Sequence, residues 1–411
     1  MDTTLRIDTG DTAFVLLSAA LVMLMTPGLA LFYGGMVRKK NVLSTIMHSF
    51  ILAAAIGIQW ALVGYTLAFG PSQGGVIGSL DWALLSGVGG LPNGDYAKTI
   101  PHAAFMIYQG MFAAITPALI SGAFAERIRF APFLVFSLLW ATLVYDPLAH
   151  WVWGVGGFLR TMGALDFAGG TVVHISSGAA AVAAVIALGP RRGFMREPVP
   201  PHSLPLTITG AALLWFGWFG FNAGSALGSG ALATTAFVAT HLGACGATIG
   251  WLVIEWWHRG KPTVLGAASG AIAGLVAITP AAGFVSPSAA IVIGFVGGIV
   301  CYFGVTLKTR LGYDDALDAI GIHGFGGTWG AIATGLFATK AVNPDGGDGL
   351  LAGNASLVGI QLAAVGITIA FSFVVSLALF TIIKKVVGLR PTPEDEIMGL
   401  DLTEHGEAGY N

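Results

Sequence analysis

The sequence predicts an all-α integral membrane protein with eleven transmembrane helices, and three observations lead to this prediction. The 411-residue chain is 55% hydrophobic and only 10% charged, against about 25% charged residues in soluble domains. Its 60 glycines are about twice the usual share and are typical of helices that pack closely in a bilayer. Apolar runs of membrane-spanning length recur along the whole chain.

A membrane span requires about 20 mostly apolar residues. The eleven stretches that meet this requirement cover roughly residues 12–35, 42–69, 101–125, 131–149, 168–189, 204–223, 231–256, 263–283, 286–306, 317–338 and 356–385. In the first of these, basic residues follow the apolar run and do not precede it. We therefore expect a retained helix and not a cleaved signal peptide.

The basic residues sort to one side of these spans. If odd-numbered spans run from outside to inside, fifteen of the 19 Lys and Arg residues lie in inner loops. The four outer ones are Arg6, Lys98, Arg160 and Lys340. Because cytoplasmic loops are enriched in Lys and Arg, we predict an outer N-terminus and an inner C-terminus. That orientation requires an odd number of spans, and the predicted number, eleven, is odd.

The two halves of the predicted membrane domain share a weak internal symmetry. Near the end of the first half, Asp166 precedes His174 among glycines, and near the end of the second, Asp318 precedes His323 in a similar setting. Five spans in each half would make the halves enter the membrane from opposite sides. This is the plan of an inverted repeat, in which the functional path lies between the halves near the membrane midplane.

The domain prediction follows from these patterns. One transmembrane domain covers residues 1–386, with inverted halves over about residues 12–190 and 204–338 and an extra helix over about 356–386. A polar, acidic segment over residues 387–411 follows. We expect it to be a cytoplasmic regulatory tail.

Six ionisable residues in or next to the predicted spans are candidates for a functional role, because a charged side chain inside the membrane costs about 2.5–3.5 kcal/mol on insertion scales. They are His48, Asp166, His174, His241, Glu255 and His323. We interpret His48 as a packing residue and His241 as a partner in a structural hydrogen bond. Glu255 lies beside basic residues near a helix end, so we expect it to reach the membrane surface.

His174 and His323 differ from the others because each is central in its span and has Gly and Ser neighbours. Small neighbours leave room either for a lumen or for a close helix crossing. Two buried histidines bonded to backbone carbonyls are an equally good interpretation. If the two imidazoles face each other, they can share one proton and relay it. Neither has a third ligand at metal-binding spacing, so we predict no metal site and no cofactor.

Aromatic side chains form a second candidate group. They are Tyr108 and Phe112, about one helical turn apart; Trp151 and Trp153; and Trp218, Phe219 and Phe221, which precede Asn222 and Ser225. One interpretation is an interfacial aromatic belt, which is common at both membrane surfaces. The other is a cation site, since an aromatic face attracts a small cation by about 0.5–2 kcal/mol.

Five long blocks of the sequence match one known family. They are residues 32–41 (FYGGMVRKKN), 122–130 (GAFAERIRF), 166–174 (DFAGGTVVH), 217–225 (GWFGFNAGS) and 399–407, from Gly399-Leu-Asp to His405-Gly-Glu. With these blocks in this order, the chain resembles the bacterial ammonium transporter (Amt/Mep/Rh) family over essentially its whole length.

The resemblance implies a transporter and not an enzyme, and it implies roles for individual residues. Trp153, Phe112, Ser225 and Tyr108 would form the outer ammonium-binding site, Phe112 and Phe221 the phenyl gate, and His174 and His323 the pore and proton relay. Asp166 would be an electrostatic and structural acid. The stretch after Trp153 is slightly longer than the family pattern, so Trp151 competes as the recruiting indole. Tyr108 stands where Phe or another aromatic is expected.

The resemblance also implies partners and a location. We expect ammonium or ammonia as substrate, with methylammonium as an analogue, and a homotrimer with a pore through each subunit. A PII-class signal protein would bind at the cytoplasmic face. The net charge of −2 predicts no nucleic acid partner. The expected location is the bacterial inner (plasma) membrane, with a periplasmic N-terminus and a cytoplasmic C-terminus.

The expected mechanism follows from the charge of the substrate. Ammonium and potassium ions are close in size, and a bare cation in hydrocarbon costs tens of kcal/mol, against about 2 kcal/mol from one cation–π contact. Ammonium can give up a proton and cross as neutral ammonia, which potassium cannot. We therefore expect NH4+ to be recruited outside, deprotonated, and conducted as NH3 past the histidines, with net transfer of a proton and its charge.

Three other functions fit parts of the pattern. A sensor of the same fold would carry a further signalling domain, whereas about 25 residues follow the last predicted span. An intramembrane enzyme would need a nucleophile with a base, or a metal set. A gas or urea channel would not need the aromatic cation site, which is itself inferred through the resemblance.

Overall fold

The computed structural model of the protein describes residues 5–410 and is mostly helical within that range. Nine helical segments in the range are long and apolar enough to cross a membrane. The prediction of an all-α, multi-pass membrane protein is therefore confirmed. Residues 1–4 and 411, which belong to the two predicted domain ranges, lie outside the described residues.

The first half contains five helical segments, several of which are interrupted by a π-helical turn. They are α1 (Thr9–Met36), α2 (Val42–Gln59, the turn Trp60–Gly64 and Tyr65–Phe69), α3 (His102–Phe124), α4 (Phe130–Trp140, the turn Ala141–Tyr145 and Asp146–Trp153) and α5 (the turn Gly170–Ile175 and Ser176–Leu188). A short helix, Phe158–Met162, lies between α4 and α5.

The second half repeats this plan, and further helices follow it. The segments are α6 (Leu204–Ala223), α7 (Ala231–Arg259), α8 (Val264–Ile278), α9 (Pro287–Leu311), α10 (the turn Ile320–Gly324 and Phe325–Phe337) and α11 (Ser356–Val386). Two short helices, α12 (Pro393–Met398) and α13 (Leu400–His405), form the tail.

Each of the eleven predicted spans overlaps one of the segments α1 to α11. Two of these segments are shorter or more interrupted than a membrane-spanning helix. Helix α8 has 15 residues and ends at Ile278, shortly before Pro280, which cannot donate a helical hydrogen bond. Helix α10 is broken by its π-helical turn. Neither is among the nine helices of spanning length, so the count of eleven and the orientation remain predictions.

Glycines allow the first and last helices of each half to cross closely. A Cβ on Gly210 of α6 would lie 2.2 Å from the backbone nitrogen of Phe32 on α1. A Cβ on Gly178 of α5 would lie 2.4 Å from the Gly324 Cα of α10. The pairings α1–α6 and α5–α10 thus bring helices of the two predicted halves together. The inverted repeat itself remains a prediction.

Helices α5 and α10 begin in the same way, each with a π-helical turn that holds one histidine and is capped by an aspartate. Asp166 accepts hydrogen bonds from the N–H groups of Gly169, Gly170 and Thr171, and Asp315 accepts them from Ala319 and Ile320. Each aspartate lies eight residues before its histidine. The counterpart of Asp166 is therefore Asp315, and the prediction that it is Asp318 is wrong.

A long loop between α2 and α3 lies on the surface that the charge pattern predicts to face outward. Two short antiparallel hairpins lie in it. Strand β1 (Ser72–Gln73) pairs with β2 (Ile77–Gly78), and β3 (Pro92–Asn93) pairs with β4 (Ala97–Pro101). These hairpins lie on the same side of the molecule as the outer ends of α3 and α4.

Ion pairs join the inner loops. Glu126 lies 2.9 Å from Arg38 and 3.1 Å from Arg191. Burial disfavours its charge, but hydrogen bonds from Arg38 and the charge of Arg191 outweigh burial and hold the pKa of Glu126 below its ordinary value. The tail packs on the same surface, since Asp401 accepts a hydrogen bond from the Ser44 N–H at the start of α2 (2.8 Å).

Candidate functional site

An open cavity of about 670 Å³ lies at the surface predicted to face outward. Trp153, Phe112 and Ser225 all line it, so three residues predicted for the outer cation site share one cavity. Acidic residues outnumber basic ones in its lining, which contains Asp95, Asp166, Asp345 and Asp348 against Arg160 and Lys340. This excess of negative charge favours cations over anions.

Trp153, and not Trp151, faces this cavity. The Trp153 indole N–H donates to the Asp166 carbonyl at 2.9 Å. Its ring meets Phe112 edge to face, with centroids 6.1 Å apart. The Trp151 ring instead packs against Phe371 on α11, with centroids 4.5 Å apart. Of the two tryptophans that the sequence left open, Trp153 is therefore the one that lines the cavity.

Tyr108 lies behind the cavity wall. Its ring is fully buried, and its hydroxyl donates to the Phe221 carbonyl at 2.9 Å and lies 3.1 Å from the Ser225 Oγ. The Ser225 hydroxyl donates to the same carbonyl at 2.9 Å. Tyr108 therefore positions the serine and the backbone of Phe221, and it can reach a bound cation only through Ser225.

Two phenyl rings separate the cavity from the interior. The ring centroids of Phe112 and Phe221 are 4.3 Å apart and their planes are tilted by 39°. Each side chain is about 1% exposed. Rings this close leave no passage for a hydrated ion, so any solute that crosses here must displace them.

A narrow and mostly apolar void continues inward from the phenyl pair. Its volume is about 20 Å³, and Phe221, Trp218, the two histidines and Asp318 are among its lining residues. A void needs at least about 10–15 Å³ to hold one water molecule. This one therefore has room for a single small molecule and none for a hydration shell.

His174 and His323 meet in this void. Their Nδ1 atoms are 3.3 Å apart and their ring planes differ by 17°. The His174 ring also stacks against Trp218, whose indole N–H donates to the Thr279 hydroxyl at 2.8 Å. Since one Nδ1 must donate and the other accept, the two rings share one proton. Of the two interpretations from the sequence, the facing pair is the one found.

The remaining ring nitrogen of His174 is available to a solute. Within residues 5–410, the buried Nε2 atom has no hydrogen-bond partner. A buried polar atom without a partner costs about 1–3 kcal/mol. Because His174 lines the void, a small polar molecule there can supply the missing hydrogen bond.

Both carboxylate oxygens of Asp166 accept hydrogen bonds from the start of helix α5. Its Oδ1 accepts from the N–H groups of Gly169 and Gly170 at 2.8 and 2.6 Å. Its Oδ2 accepts from the Thr171 N–H at 2.7 Å and also from the Thr171 hydroxyl. Gly169 has φ +118°, a backbone conformation that favours glycine. With all its lone pairs occupied, Asp166 can act on a nearby cation only through its field.

The other ionisable residues of the predicted spans lie elsewhere. His48 packs its ring on Phe133, with centroids 4.2 Å apart, as expected of a packing residue. Glu255 is buried and accepts hydrogen bonds from the Thr263 N–H and hydroxyl, both at 3.0 Å, so the expectation that it reaches the membrane surface is wrong. His241 is exposed on α7.

Two residues of the site carried little signal in the sequence. Asp315 could have been found from the equal spacing of the two aspartates and histidines, eight residues in each half. Thr279 holds Trp218 only because α8 packs against α6. No local pattern predicts that contact.

Comparisons with known proteins find relatives over nearly the whole chain. The model described as Ammonium Transporter Family matches residues 13–410. The ammonium transporter of Bacillus subtilis (strain 168) is 58% identical over 402 residues, which cover 98% of each chain. The ammonium transporter Amt1 of Archaeoglobus fulgidus is 50% identical over 401 residues, 98% of this chain and 99% of that one. The crystal structure of Candida albicans Mep2 has a TM-score of 0.91 at 38% identity and covers 100% of this chain and 92% of Mep2.

Proposed function

The chain belongs to the ammonium transporter family, and on that premise we propose that it moves ammonium nitrogen across the bilayer as neutral ammonia. The resemblance carried by its five sequence blocks is confirmed by the family match over residues 13–410. The observation that supports the mechanism is a succession of three features from outside to inside. An acidic aromatic cavity leads to a closed phenyl pair, and the phenyl pair leads to a narrow void with two facing histidines.

Recruitment of NH4+ is the first step. The faces of Trp153 and Phe112 attract the cation by about 0.5–2 kcal/mol each. The Ser225 oxygen accepts a hydrogen bond from one N–H group of the ammonium ion. The cavity's acidic residues raise the local cation concentration. Asp166 contributes through its field alone, because its oxygens are occupied.

Loss of a proton at the phenyl pair is the second step. A bare cation in an apolar void costs tens of kcal/mol, which two aromatic contacts cannot offset. Ammonia is close to water in size, and the void of about 20 Å³ beyond Phe221 holds one such molecule. Nitrogen therefore passes the rings as NH3.

Passage along the histidines is the third step. The unpartnered Nε2 of His174 offers a hydrogen bond that the apolar walls do not. The Nδ1 atoms of His174 and His323, 3.3 Å apart, share a proton and give it a route from one ring to the other. We propose that the Nε2 of His174 takes up the proton that NH4+ loses, that the proton between the two Nδ1 atoms moves to His323, and that His323 releases its Nε2 proton to the inner water, so that each cycle carries net charge.

Alanine variants of the histidines test this mechanism. The initial rate of methylammonium uptake into proteoliposomes should fall about tenfold in His174→Ala and in His323→Ala. A lost hydrogen bond to a buried group costs about 1–3 kcal/mol, and 1.4 kcal/mol is a factor of ten. The matched control is His241→Ala, which removes an exposed imidazole from α7 and should transport normally.

Two outcomes would contradict the mechanism. Uptake rates and selectivity over potassium equal to those of His241→Ala would remove the histidines from the path. Uptake that generates no current in a potential-sensitive assay would show that no net charge is transferred and that the protein conducts only ammonia.

The assembly and location are proposed on the same premise. We propose a homotrimer with one pore per subunit in the bacterial inner membrane, with a periplasmic N-terminus, a cytoplasmic C-terminus and a PII-class protein at the inner face. Support comes from the basic inner loops and from the tail, which Asp401 and Glu404 dock to the starts of α2 and α4. Native mass spectrometry with and without a PII protein tests the assembly, and reporter fusions at the two termini test the orientation.

A further inference from the structure

The backbone at Asp318 is strained. Its φ is +65°, in the left-handed region that side-chain-bearing residues adopt uncommonly. The corresponding position in the first half is Gly169, since each lies five residues before its histidine. Gly169 also has positive φ, +118°. Glycine adopts this conformation without strain and aspartate adopts it more readily than most residues, so the second half carries a carboxylate where the first half has no side chain.

Asp318 brings a charge to the inner end of the narrow void. Among the described residues that line the void, and apart from the two histidines, Asp318 alone is ionisable at neutral pH. Its side chain is 28% exposed, so it is also within reach of the aqueous inner surface. A solute that leaves His323 inward therefore meets this carboxylate before bulk water.

Lys308 forms a displaceable partner for this carboxylate. Its Nζ forms an ion pair with the Asp318 Oδ1 and donates to the Asp315 carbonyl at 3.0 Å. Its side chain is 22% exposed. If another cation took its place on Asp318, Lys308 would keep the carbonyl and gain water. Because both side chains are about three-quarters buried, exchange requires an incoming cation that supplies the charge and the hydrogen bond that Lys308 withdraws from Asp318.

We propose that Asp318 is the exit site at the inner end of the void. Its carboxylate binds the ammonium ion that re-forms there, and this ion takes the place of Lys308. The inference rests on the proposed function. Ammonia that passes His323 takes a proton from a hydronium ion of the inner water, one N–H bond forms, one O–H bond breaks, and water is released. The new cation donates to the Asp318 carboxylate before it is fully hydrated, which lowers the cost of forming charge beside an apolar void.

Asp318→Asn tests the exit site, because asparagine tolerates positive φ and removes only the charge. By microscopic reversibility, the exit site for influx is the recruitment site for efflux. The apparent KM for methylammonium should therefore rise about tenfold when the substrate is supplied from the inner side. The KM for substrate supplied from the outer side should change less than about twofold. Oppositely oriented membrane vesicles provide the two measurements.

Lys308→Gln separates this role from a structural ion pair. If Lys308 only competes with ammonium for Asp318, its loss should leave the inner-side KM unchanged or lower it. If the pair only holds the loop, Lys308→Gln should impair transport as much as Asp318→Asn does. The thermal midpoint in detergent identifies any variant that is misfolded. For Asp318→Gly, which removes both the charge and the strain, we expect the same rise in inner-side KM together with a higher thermal midpoint.

The outcomes distinguish this proposal from the proposed function. An inner-side KM for Asp318→Asn equal to that of the wild type, with normal uptake, would overturn the exit site and leave ammonium transport intact. Equal impairment in Lys308→Gln and Asp318→Asn would also overturn it. If the wild-type protein carries no methylammonium in either direction, the proposed function itself is contradicted.

Discussion

Replacing Asp166 with asparagine should destabilise the protein before it affects recruitment. The carboxylate accepts five hydrogen bonds. Two reach Oδ1 from the N–H groups of Gly169 and Gly170, and three reach Oδ2 from the Thr171 N–H and hydroxyl and from the Val172 N–H. Asparagine keeps one oxygen and turns an NH2 group toward the donors of the other. Two charge-assisted bonds are lost, and at about 1.5–3 kcal/mol each the free energy of unfolding should fall by about 3–6 kcal/mol.

The matched control is Asp345→Asn. Asp345 lines the same cavity but caps no helix, so this variant removes a comparable charge and should change stability by no more than about 0.5 kcal/mol. The assay is reversible denaturant unfolding of the purified protein in detergent, followed by tryptophan fluorescence. Methylammonium uptake is measured on the same preparations.

The comparison of the two variants can refute the structural role. If Asp166→Asn unfolds at the same denaturant concentration as Asp345→Asn while both weaken outer-side affinity, then Asp166 acts only through its field. Loss of stability in Asp166→Asn alone supports its role as the cap that holds the π-helical turn of α5 in place.

Three further predictions concern other parts of the molecule. Trp153→Leu should raise the outer-side KM for methylammonium about 2- to 30-fold, the loss of about 0.5–2 kcal/mol of cation–π attraction, whereas Trp151→Leu should change it less than twofold; a shift in Trp151→Leu alone would reverse the assignment. Gly210→Ala should lower the thermal midpoint, because its Cβ would clash with α1, whereas Gly57→Ala, with no atom within 4 Å of the new Cβ, should leave it unchanged or raise it. The lowered pKa of Glu126 means that its ion pairs contribute to the unfolding free energy above about pH 4.5, and that this contribution is lost as the pH falls through the lowered value; Glu126→Gln should flatten that acid-side loss, and an unaltered profile would contradict it.

Helix positions could be predicted from the sequence because hydrophobic length is a local property. All eleven apolar runs became helical segments, with ends near those predicted. The π-helical turns could not be predicted in this way, because a turn such as Gly170–Ile175 depends on which side chain caps it. The early end of α8 before Pro280 is a local effect that outweighed the continuing apolar pattern.

The sequence predicted which residues of the candidate site come together, but not how each side chain is oriented. Phe112, Trp153, Ser225 and the histidines lie around one cavity and void, as the resemblance implied. Their roles remain predictions. The choice between Trp151 and Trp153 depended on which way each indole turns on α4, a tertiary property that sequence spacing does not encode.

Glu255 illustrates the same limit. Its basic neighbours indicated a side chain at the membrane surface, but the fold brings Thr263 to it and buries the carboxylate. A buried carboxylate needs hydrogen-bond donors, and here they come from a loop that the pattern along α7 did not reveal.

The most direct test of the central claim is the uptake of rubidium by proteoliposomes that contain the protein, measured beside the uptake of methylammonium. Rubidium is close to ammonium in size and charge but has no proton to give up. We expect rubidium influx to stay at the level of protein-free liposomes, since a bare cation in the void costs tens of kcal/mol. Rubidium influx at a rate comparable to that of methylammonium would contradict the claim that nitrogen crosses as a neutral molecule.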